Sequence, residues 1–216
     1  IMRKTVLCFG DSNTWGWIPG KVCERFDETI RWPAVMAKAL GEDYYVIEMG
    51  QNGRTTVWDD PVEQEKNGYQ HIIPILECCY PVDLVIIMLG TNDCKERFGV
   101  NGYNIAVGAG NVARRVKQTP WGRDGKAPEV LLVCPAPIGE AYETEPVMGP
   151  VFGKGAAEKS REIAQYLEGI AKQIGCHYMD AGKIVTGSPV DGVHLEAEEH
   201  AKLAKAMYEK VQEISG

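Results

Sequence analysis

Ser12 follows an apolar run and a Gly-Asp dipeptide in the stretch CFGDSNTWGW, residues 8–17. A serine hydroxyl with its ordinary pKa stays protonated and is a poor nucleophile, but a neighbouring imidazole can take its proton and activate it. The turn that ends a strand exposes such a side chain, and a helix that begins there favours negative charge. The simpler interpretation is a serine that only caps the helix. Ser12 is therefore a candidate nucleophile or a candidate N-cap.

Asp191 and His194 could supply the base. With Gly192 between them, a tight turn can bring the carboxylate to the imidazole Nδ1–H, which leaves Nε2 free to accept a proton. Asp-x-x-His also occurs in ordinary surface turns, which is the alternative. Only His194 combines a loop with this acidic partner, because the other histidines fall in helical or strand patterns: His71, His177 and His200.

Two further clusters could supply hydrogen-bond donors to a negatively charged oxygen. They are GQNG at residues 50–53 and GTND at residues 90–93. The donors would be the backbone N–H groups of Ser12 and Gly53 and the side-chain amide of Asn92, and losing one such donor costs on the order of 10²–10³ in rate. The alternatives are an ordinary turn at Gly53 and an Asx turn at Asn92.

These clusters need a scaffold that brings them together, and the chain predicts one. Five apolar runs read as buried strands, and amphipathic helical patterns separate them. This alternation predicts an α/β fold, a parallel sheet with helices on both faces, in which the carboxyl ends of the strands meet at one edge. The predicted strands are Thr5–Gly10, Tyr44–Gly50, Asp83–Gly90, Glu129–Pro135 and Cys176–Gly182.

Two of the predicted helices contain residues that disfavour helix formation. Pro74 disturbs the start of one helix, and Gly108 and Gly110 weaken another. Two long irregular stretches follow strand ends, at residues 54–68 and 136–155. Loops at the carboxyl ends of strands are more often functional than loops elsewhere. The alternative is that each stretch is a surface elaboration or a subunit contact. No repeat or linker interrupts the chain, so we expect one domain over residues 2–216.

Composition excludes several function classes. The net charge of −7 argues against nucleic-acid binding, and no apolar run approaches the roughly 18 residues of a membrane span. The seven cysteines form neither a C-x-x-C zinc pattern nor an even disulfide framework, so we expect reduced thiols, no metal and a cytoplasmic location.

Together, the four clusters resemble those of the SGNH (GDSL-type) hydrolase family. GDSNT, GQNGRTT, GTND and DGVH match its four blocks in the same order, and the resemblance spans nearly the whole chain. The stretches RTTVWDDP and VLLVCPAPI are similar to the arylesterase and acyltransferase (perhydrolase) branch of that family.

The resemblance implies a three-layer α/β/α, flavodoxin-like fold with a five-stranded parallel sheet and a serine esterase without metal or cofactor. By position, Ser12 is the nucleophile, His194 the base and Asp191 its orienting partner. The Ser12 and Gly53 N–H groups and the Asn92 amide form the oxyanion hole. The implied substrates are esters of short acyl groups, and acyl transfer to alcohols or peroxide and a homo-oligomeric assembly occur in that branch.

Asn13 stands where GDSL-type proteins usually have leucine, so we expect it to shape the acyl pocket. Trp15, Trp17 and Trp58 could wall the same pocket and favour acetyl-sized groups; core or interface positions are the alternative. An acetylated sugar is a second candidate substrate. A non-catalytic flavodoxin-like binding module is a less favoured alternative, because neither a G-x-G-x-x-G nor a Walker motif is present.

Overall fold

The computed structural model describes residues 2–216, and a parallel five-stranded sheet runs through its centre in the order β2-β1-β3-β4-β5. All four strand pairs are parallel, as predicted. The predicted third strand ended at Gly90 but the strand ends at Met88, because Gly90 has a φ of +134°, outside the range of sheet backbone. The strands are β1 (Lys4–Gly10), β2 (Tyr44–Gly50), β3 (Leu84–Met88), β4 (Glu129–Cys134) and β5 (His177–Asp180).

Helices cover both faces of the sheet, which gives the predicted three-layer α/β/α architecture. One face carries two helices and the other carries three, and two short helices lie in the loops. The helices are α1 (Ser12–Trp15), α2 (Trp32–Leu40), α3 (Gly68–Cys79), α4 (Gly102–Lys117), α5 (Met148–Phe152), α6 (Ala156–Ile174) and α7 (Ala197–Ser215).

Alternating residues of β1 show why the strands are so continuously apolar. Leu7 and Phe9 pack into the core beneath α3, α4 and α6, whereas Val6 and Cys8 pack into the core beneath α2 and α7. Because both faces of the strand are buried, neither can be polar. The two cores hold the sheet rigid and so fix the positions of its strand ends.

Both places that weakened the helical patterns lie inside helices. α3 continues through Pro74. In α4 the glycines permit close packing: a Cβ at Gly110 would lie 2.5 Å from Cγ2 of Ile170, and one at Gly108 would lie 2.3 Å from Oγ1 of Thr56. Glycine lowers helix propensity here but lets α4 approach its neighbours.

The predicted irregular stretch of residues 136–155 contains structure. A 3₁₀ turn over Glu140–Thr144 precedes α5, and Met148 and Phe152 of α5 are buried. This stretch follows β4 and lies at the carboxyl edge of the sheet, where the four polar clusters also lie.

Candidate active site

Ser12 lies directly beyond the end of β1, as the first residue of α1. The N-cap of that helix is Asp11, whose Oδ1 accepts the N–H of Asn13 at 2.9 Å. The neighbouring carboxylate therefore makes the capping interaction, and the Ser12 hydroxyl is free to contact another group.

That group is His194. Its Nε2 lies 3.0 Å from the Ser12 Oγ, and its Nδ1 lies 2.7 Å from Oδ2 of Asp191. The second carboxylate oxygen, Oδ1, accepts the N–H groups of Val193 and His194, both at 2.9 Å. The three side chains form one chain of hydrogen bonds along which His194 can take the hydroxyl proton of Ser12.

Asp191 remains an anion in this arrangement. Burial raises the pKa of its carboxyl, but the hydrogen bonds from the His194 ring and from two backbone N–H groups outweigh burial and hold the pKa below its usual value. An ionised Asp191 keeps the proton of His194 on Nδ1, so that Nε2 faces Ser12 as an acceptor.

Two buried backbone donors lie beside Ser12 without an acceptor. Within residues 2–216 the N–H groups of Ser12 and Gly53 donate to no protein atom. Ser12 is the first residue of α1, where the N–H has no intrahelical acceptor, so both donors are free to bind an acceptor in the cavity. Gly53 has a φ of +80° and lines the same cavity as Ser12, which places its backbone at the cavity wall.

Asn92 lies on the other side of that cavity. Its Nδ2 donates to the Arg54 carbonyl at 3.1 Å, which orients the amide and leaves its second N–H unused. The following residue, Asp93, accepts the backbone N–H of Thr56 at 3.0 Å, and burial raises the pKa of Asp93 to about 6. Asp93 thus holds the segment after Gly53 against the turn that carries Asn92.

Arg54 and Asp11 support the site from beneath. Arg54 Nη1 donates to the Gly10 carbonyl at 2.8 Å, at the end of β1. Burial lowers the pKa of Arg54 to about 10 and raises that of Asp11 to about 6, and the attraction between the two charges opposes both shifts. Both residues position backbone at the strand end and do not line the cavity.

A cavity of about 150 Å³ opens in front of Ser12 and His194. One wall is apolar and comes from α5 and the residue before it, and the opposite end is polar. The apolar side chains are Val147, Met148, Val151 and Phe152, and the polar ones are Asn52, Glu63 and Lys95.

The GDSL-like lipase/acylhydrolase family model matches residues 8–202, most of the chain. The chain belongs to this family. It is a carboxylic ester hydrolase of the serine type, as the sequence predicts. No curated protein matches it.

Solved structures agree with this membership. The structure is similar to that of the aryl esterase of M. smegmatis, with 36% identity, coverage of 97% of this chain and 99% of that one, and a TM-score of 0.90. A carbohydrate acetylesterase from Sinorhizobium meliloti gives 38% identity, coverage of 98% and 100%, and a TM-score of 0.92. A carbohydrate acetylesterase family member from the same organism gives 33% identity, 97% coverage of both chains and a TM-score of 0.88.

Of the three tryptophans expected around the pocket of this GDSL-like hydrolase, one lines it. The Trp17 ring stacks on the His194 imidazole, with centroids 5.2 Å apart and planes 18° apart. Trp15 and Trp58 do not line this cavity. Trp15 ends α1 and carries the Arg25 guanidinium over its ring at 5.2 Å, while Trp58 belongs to the loop before α3.

Asn13 also lies outside the cavity, contrary to the expectation that it shapes the acyl pocket. Its side chain turns away from Ser12 and bonds the backbone of Val193 and Leu195. The polar side chain stands in place of leucine because it connects the serine turn to the histidine loop.

Glu63 and Lys95 were missed as cavity residues, and so was the wall built by α5. Apolar residues at positions 147, 148, 151 and 152 have the spacing of one helix face, and this was the available signal for the wall. For Glu63 and Lys95 the sequence offers no signal, because their contact joins two loops 32 residues apart.

Neither a membrane span nor a metal cluster occurs in the part of the chain that the structure describes. No helix within residues 2–216 is long and apolar enough to cross a bilayer. In the same range, no three or more histidine, cysteine or acidic side chains are grouped to hold a metal ion.

Proposed function

We propose that this GDSL-like hydrolase cleaves esters of short acyl groups through an acyl-enzyme on Ser12. The Ser12 Oγ attacks the ester carbonyl while His194 Nε2 takes its proton, and Asp191 stabilises the imidazolium that results. The observation that carries the proposal is the unbroken hydrogen-bond chain from Ser12 through His194 to Asp191, beside two unpaired buried N–H groups.

The oxyanion of the tetrahedral intermediate would bind the N–H groups of Ser12 and Gly53 and the free amide hydrogen of Asn92. This role accounts for the two buried donors without acceptors, because their acceptor is the reacting oxygen. His194 then gives its proton to the leaving alcohol, and the acyl group remains on Ser12. A water molecule, deprotonated by His194, releases the acid and restores the hydroxyl.

The cavity supports short acyl groups. A space of about 150 Å³ is bounded by Trp17 and by the α5 wall, with Met148 and Phe152 almost fully buried. Engineered cavities of about 150 Å³ hold a molecule the size of benzene, so acetyl and similar groups fit within this space, whereas a long chain would extend out of its opening. Acyl transfer to an alcohol or to peroxide would replace water in the second step by another nucleophile.

An acetylated sugar is a second candidate substrate, and the polar lining of the cavity favours it. Asn52, Glu63 and Lys95 line the cavity and offer hydrogen-bond partners to the hydroxyls of a sugar. An aryl group would make no such hydrogen bonds. Comparing acetylated xylo-oligosaccharides with p-nitrophenyl acetate separates the two: a higher kcat/KM for the sugars supports this substrate.

The decisive test removes the Ser12 hydroxyl. Ser12→Ala should lower p-nitrophenyl acetate turnover at least about 10³-fold. A fluorophosphonate probe should label the wild type once, at Ser12, and should not label the variant. The control is Ser215→Ala, at the end of α7, which should behave as wild type. An active Ser12→Ala variant would overturn the assignment of Ser12 as the nucleophile, whereas a folded wild type that the probe does not label would support the binding-module alternative.

Two further properties belong to this proposal. Four exposed valines support a homo-oligomer, since exposed apolar side chains favour burial in a contact between subunits; light scattering tests this. The cysteines are free within residues 2–216, which fits a reducing cytoplasm. The exposed side chains are Val22, Val62, Val147 and Val190.

A further inference from the structure

Four charged side chains form a network at the polar end of the cavity. Oε1 of Glu63 lies 3.1 Å from Lys95 Nζ and 3.1 Å from Arg97 Nη2. The same Arg97 nitrogen lies 2.7 Å from Oδ2 of Asp60, which is fully buried. The network contains two carboxylates and two cations, so its net charge is zero. It connects the loop before α3 to the turn after β3.

The second oxygen of Glu63 lies beside Gly53, one of the residues of the proposed oxyanion hole. A Cβ built on Gly53 would lie only 2.4 Å from Oε2 of Glu63, so this carboxylate contacts the glycine whose N–H is a proposed donor. Lys95 belongs to the same site: its backbone N–H donates to the Asn92 carbonyl at 3.2 Å. Its side chain is 2% exposed, comparable to the 3% of His194, and it lines the same cavity.

A carboxylate at this place is unfavourable for ester hydrolysis unless its charge is compensated. Negative charge develops on the oxyanion in the transition state, and a nearby carboxylate repels it, with part of the repulsion screened because the Glu63 side chain is 37% exposed. Arg97 alone does not compensate Glu63, because it is shared with Asp60, to which it donates from both Nε and Nη2. Lys66 packs against Gly53 with its aliphatic carbons but forms no ion pair with Glu63 within the described residues, so the unshared cation that pairs directly with Glu63 is Lys95.

We propose that Lys95 is a positioning residue of this esterase, whose ammonium group neutralises Glu63 and keeps the oxyanion hole free of negative charge. Glu63 in turn holds Lys95 and Arg97 and so fixes the polar wall of the cavity. The inference rests on the proposed function, since it requires the oxyanion to bind at Ser12, Gly53 and Asn92.

The test is a cycle of Lys95→Met, Glu63→Gln and the double variant, assayed with p-nitrophenyl acetate. Lys95→Met leaves Glu63 uncompensated and should lower kcat about tenfold or more, while KM changes by less than about threefold. Adding Glu63→Gln removes the repulsive charge, so the double variant should recover kcat to within about threefold of Glu63→Gln alone. Lys210→Met, which removes a similar ion pair on α7, should leave kcat unchanged.

An inhibitor provides a readout that is specific for charge. Phenylboronic acid forms an anionic tetrahedral adduct with a serine nucleophile, so Lys95→Met should weaken its inhibition in proportion to the loss of kcat, and the double variant should restore it. If Lys95→Met does not fold, Lys95→Gln retains a donor to Glu63 without the charge and carries the same expectations.

An unchanged kcat in Lys95→Met would overturn the inference. The inference would also be overturned if the fold-loss of kcat in the double variant equalled the product of the losses in the two single variants, because two independent structural roles give that result. Either outcome together with an inactive Ser12→Ala leaves the proposed function intact. Full activity in Ser12→Ala would instead overturn the function itself.

Discussion

Asn13 hydrogen-bonds the backbone on both sides of His194. Its Nδ2 donates to the Val193 carbonyl at 3.1 Å, and its Oδ1 accepts the Leu195 N–H at 3.1 Å. The residue after the proposed nucleophile therefore fixes the loop of the proposed base, although 182 positions separate Asn13 from Leu195. This buried amide therefore helps to fix the distance between Ser12 and His194, together with the bonds from Asp191 to the same loop.

Replacing Asn13 with leucine should consequently misplace His194. Both backbone groups lose their partner while buried, so Asn13→Leu should lower the free energy of unfolding by about 1–3 kcal/mol and kcat by about tenfold or more. Urea unfolding and p-nitrophenyl acetate kinetics measure the two effects. Asn104→Leu, at an exposed position of α4, is the matched control. Wild-type kcat in Asn13→Leu would show that the loop holds His194 without this amide.

Trp17 should set the upper limit on acyl length. Its ring stacks on His194 and bounds the cavity, so Trp17→Ala should enlarge the space and raise the ratio of kcat/KM for p-nitrophenyl octanoate over the acetate by about tenfold or more. Trp58→Ala makes the same change outside the cavity and should leave the ratio unchanged. Equal ratios in both variants would mean that α5, and not Trp17, limits acyl length.

The proposed nucleophile, base and oxyanion donors could be found from the sequence because parallel strands impose a simple geometry. Each cluster follows an apolar run, and all such runs end at one edge of the sheet. The positions of Ser12, Gly53 and Asn92 therefore needed little beyond strand order, whereas His194 lies in the long loop between β5 and α7 and was singled out by the nearby Asp191. The central strand β3 was the easiest to recognise, because burial on both faces leaves its residues Leu84–Met88 entirely apolar.

The cavity walls could not be found in the same way. Trp15, Trp17 and Trp58 are chemically equivalent in the sequence, and only the path of each loop decides that Trp17 faces His194. Asn13 was assigned to the pocket because it adjoins Ser12, yet neighbours in a helical turn point in different directions. The ion pair of Glu63 with Lys95 arises from tertiary contact between two irregular segments, for which periodicity gives no information.

Asn92 offers the most direct test of the oxyanion hole. Its Nδ2 is already oriented by the Arg54 carbonyl, so little reorganisation accompanies binding of the oxyanion. Asn92→Ala should lower kcat by about 10²–10³-fold with a small change in KM, because the donor acts mainly in the transition state. Asn104→Ala serves as control. A loss that appears only in KM would place Asn92 in ground-state binding instead.

His200 makes the stability of the fold depend on pH. It is fully buried beneath α2, its Nδ1 accepts the Trp32 N–H at 3.2 Å, and its Nε2 has no partner within residues 2–216. Burial lowers the pKa of His200 to about 4, and the nearby His194 adds to this. At a pH between the usual pKa of histidine, 6.5, and the lowered value of about 4, His200 is protonated in the unfolded chain but not in the folded protein.

Because the folded pKa of His200 is lowered, its contribution to stability is present above about pH 6.5 and is lost as the pH falls towards 4. Between pH 7 and pH 5 the loss should be about 2 kcal/mol. Asp11 and Asp93, whose pKa values are raised to about 6, have the opposite effect on stability over this range, since they bind protons in the folded protein at a higher pH than in the unfolded chain.

The free energy of unfolding in urea is measured for wild type and His200→Asn at both pH values. The contribution of Asp11 and Asp93 is common to both proteins and cancels in the comparison. The wild type should lose about 2 kcal/mol more than the variant, and equal losses would show that His200 is protonated as readily in the fold as in the unfolded chain.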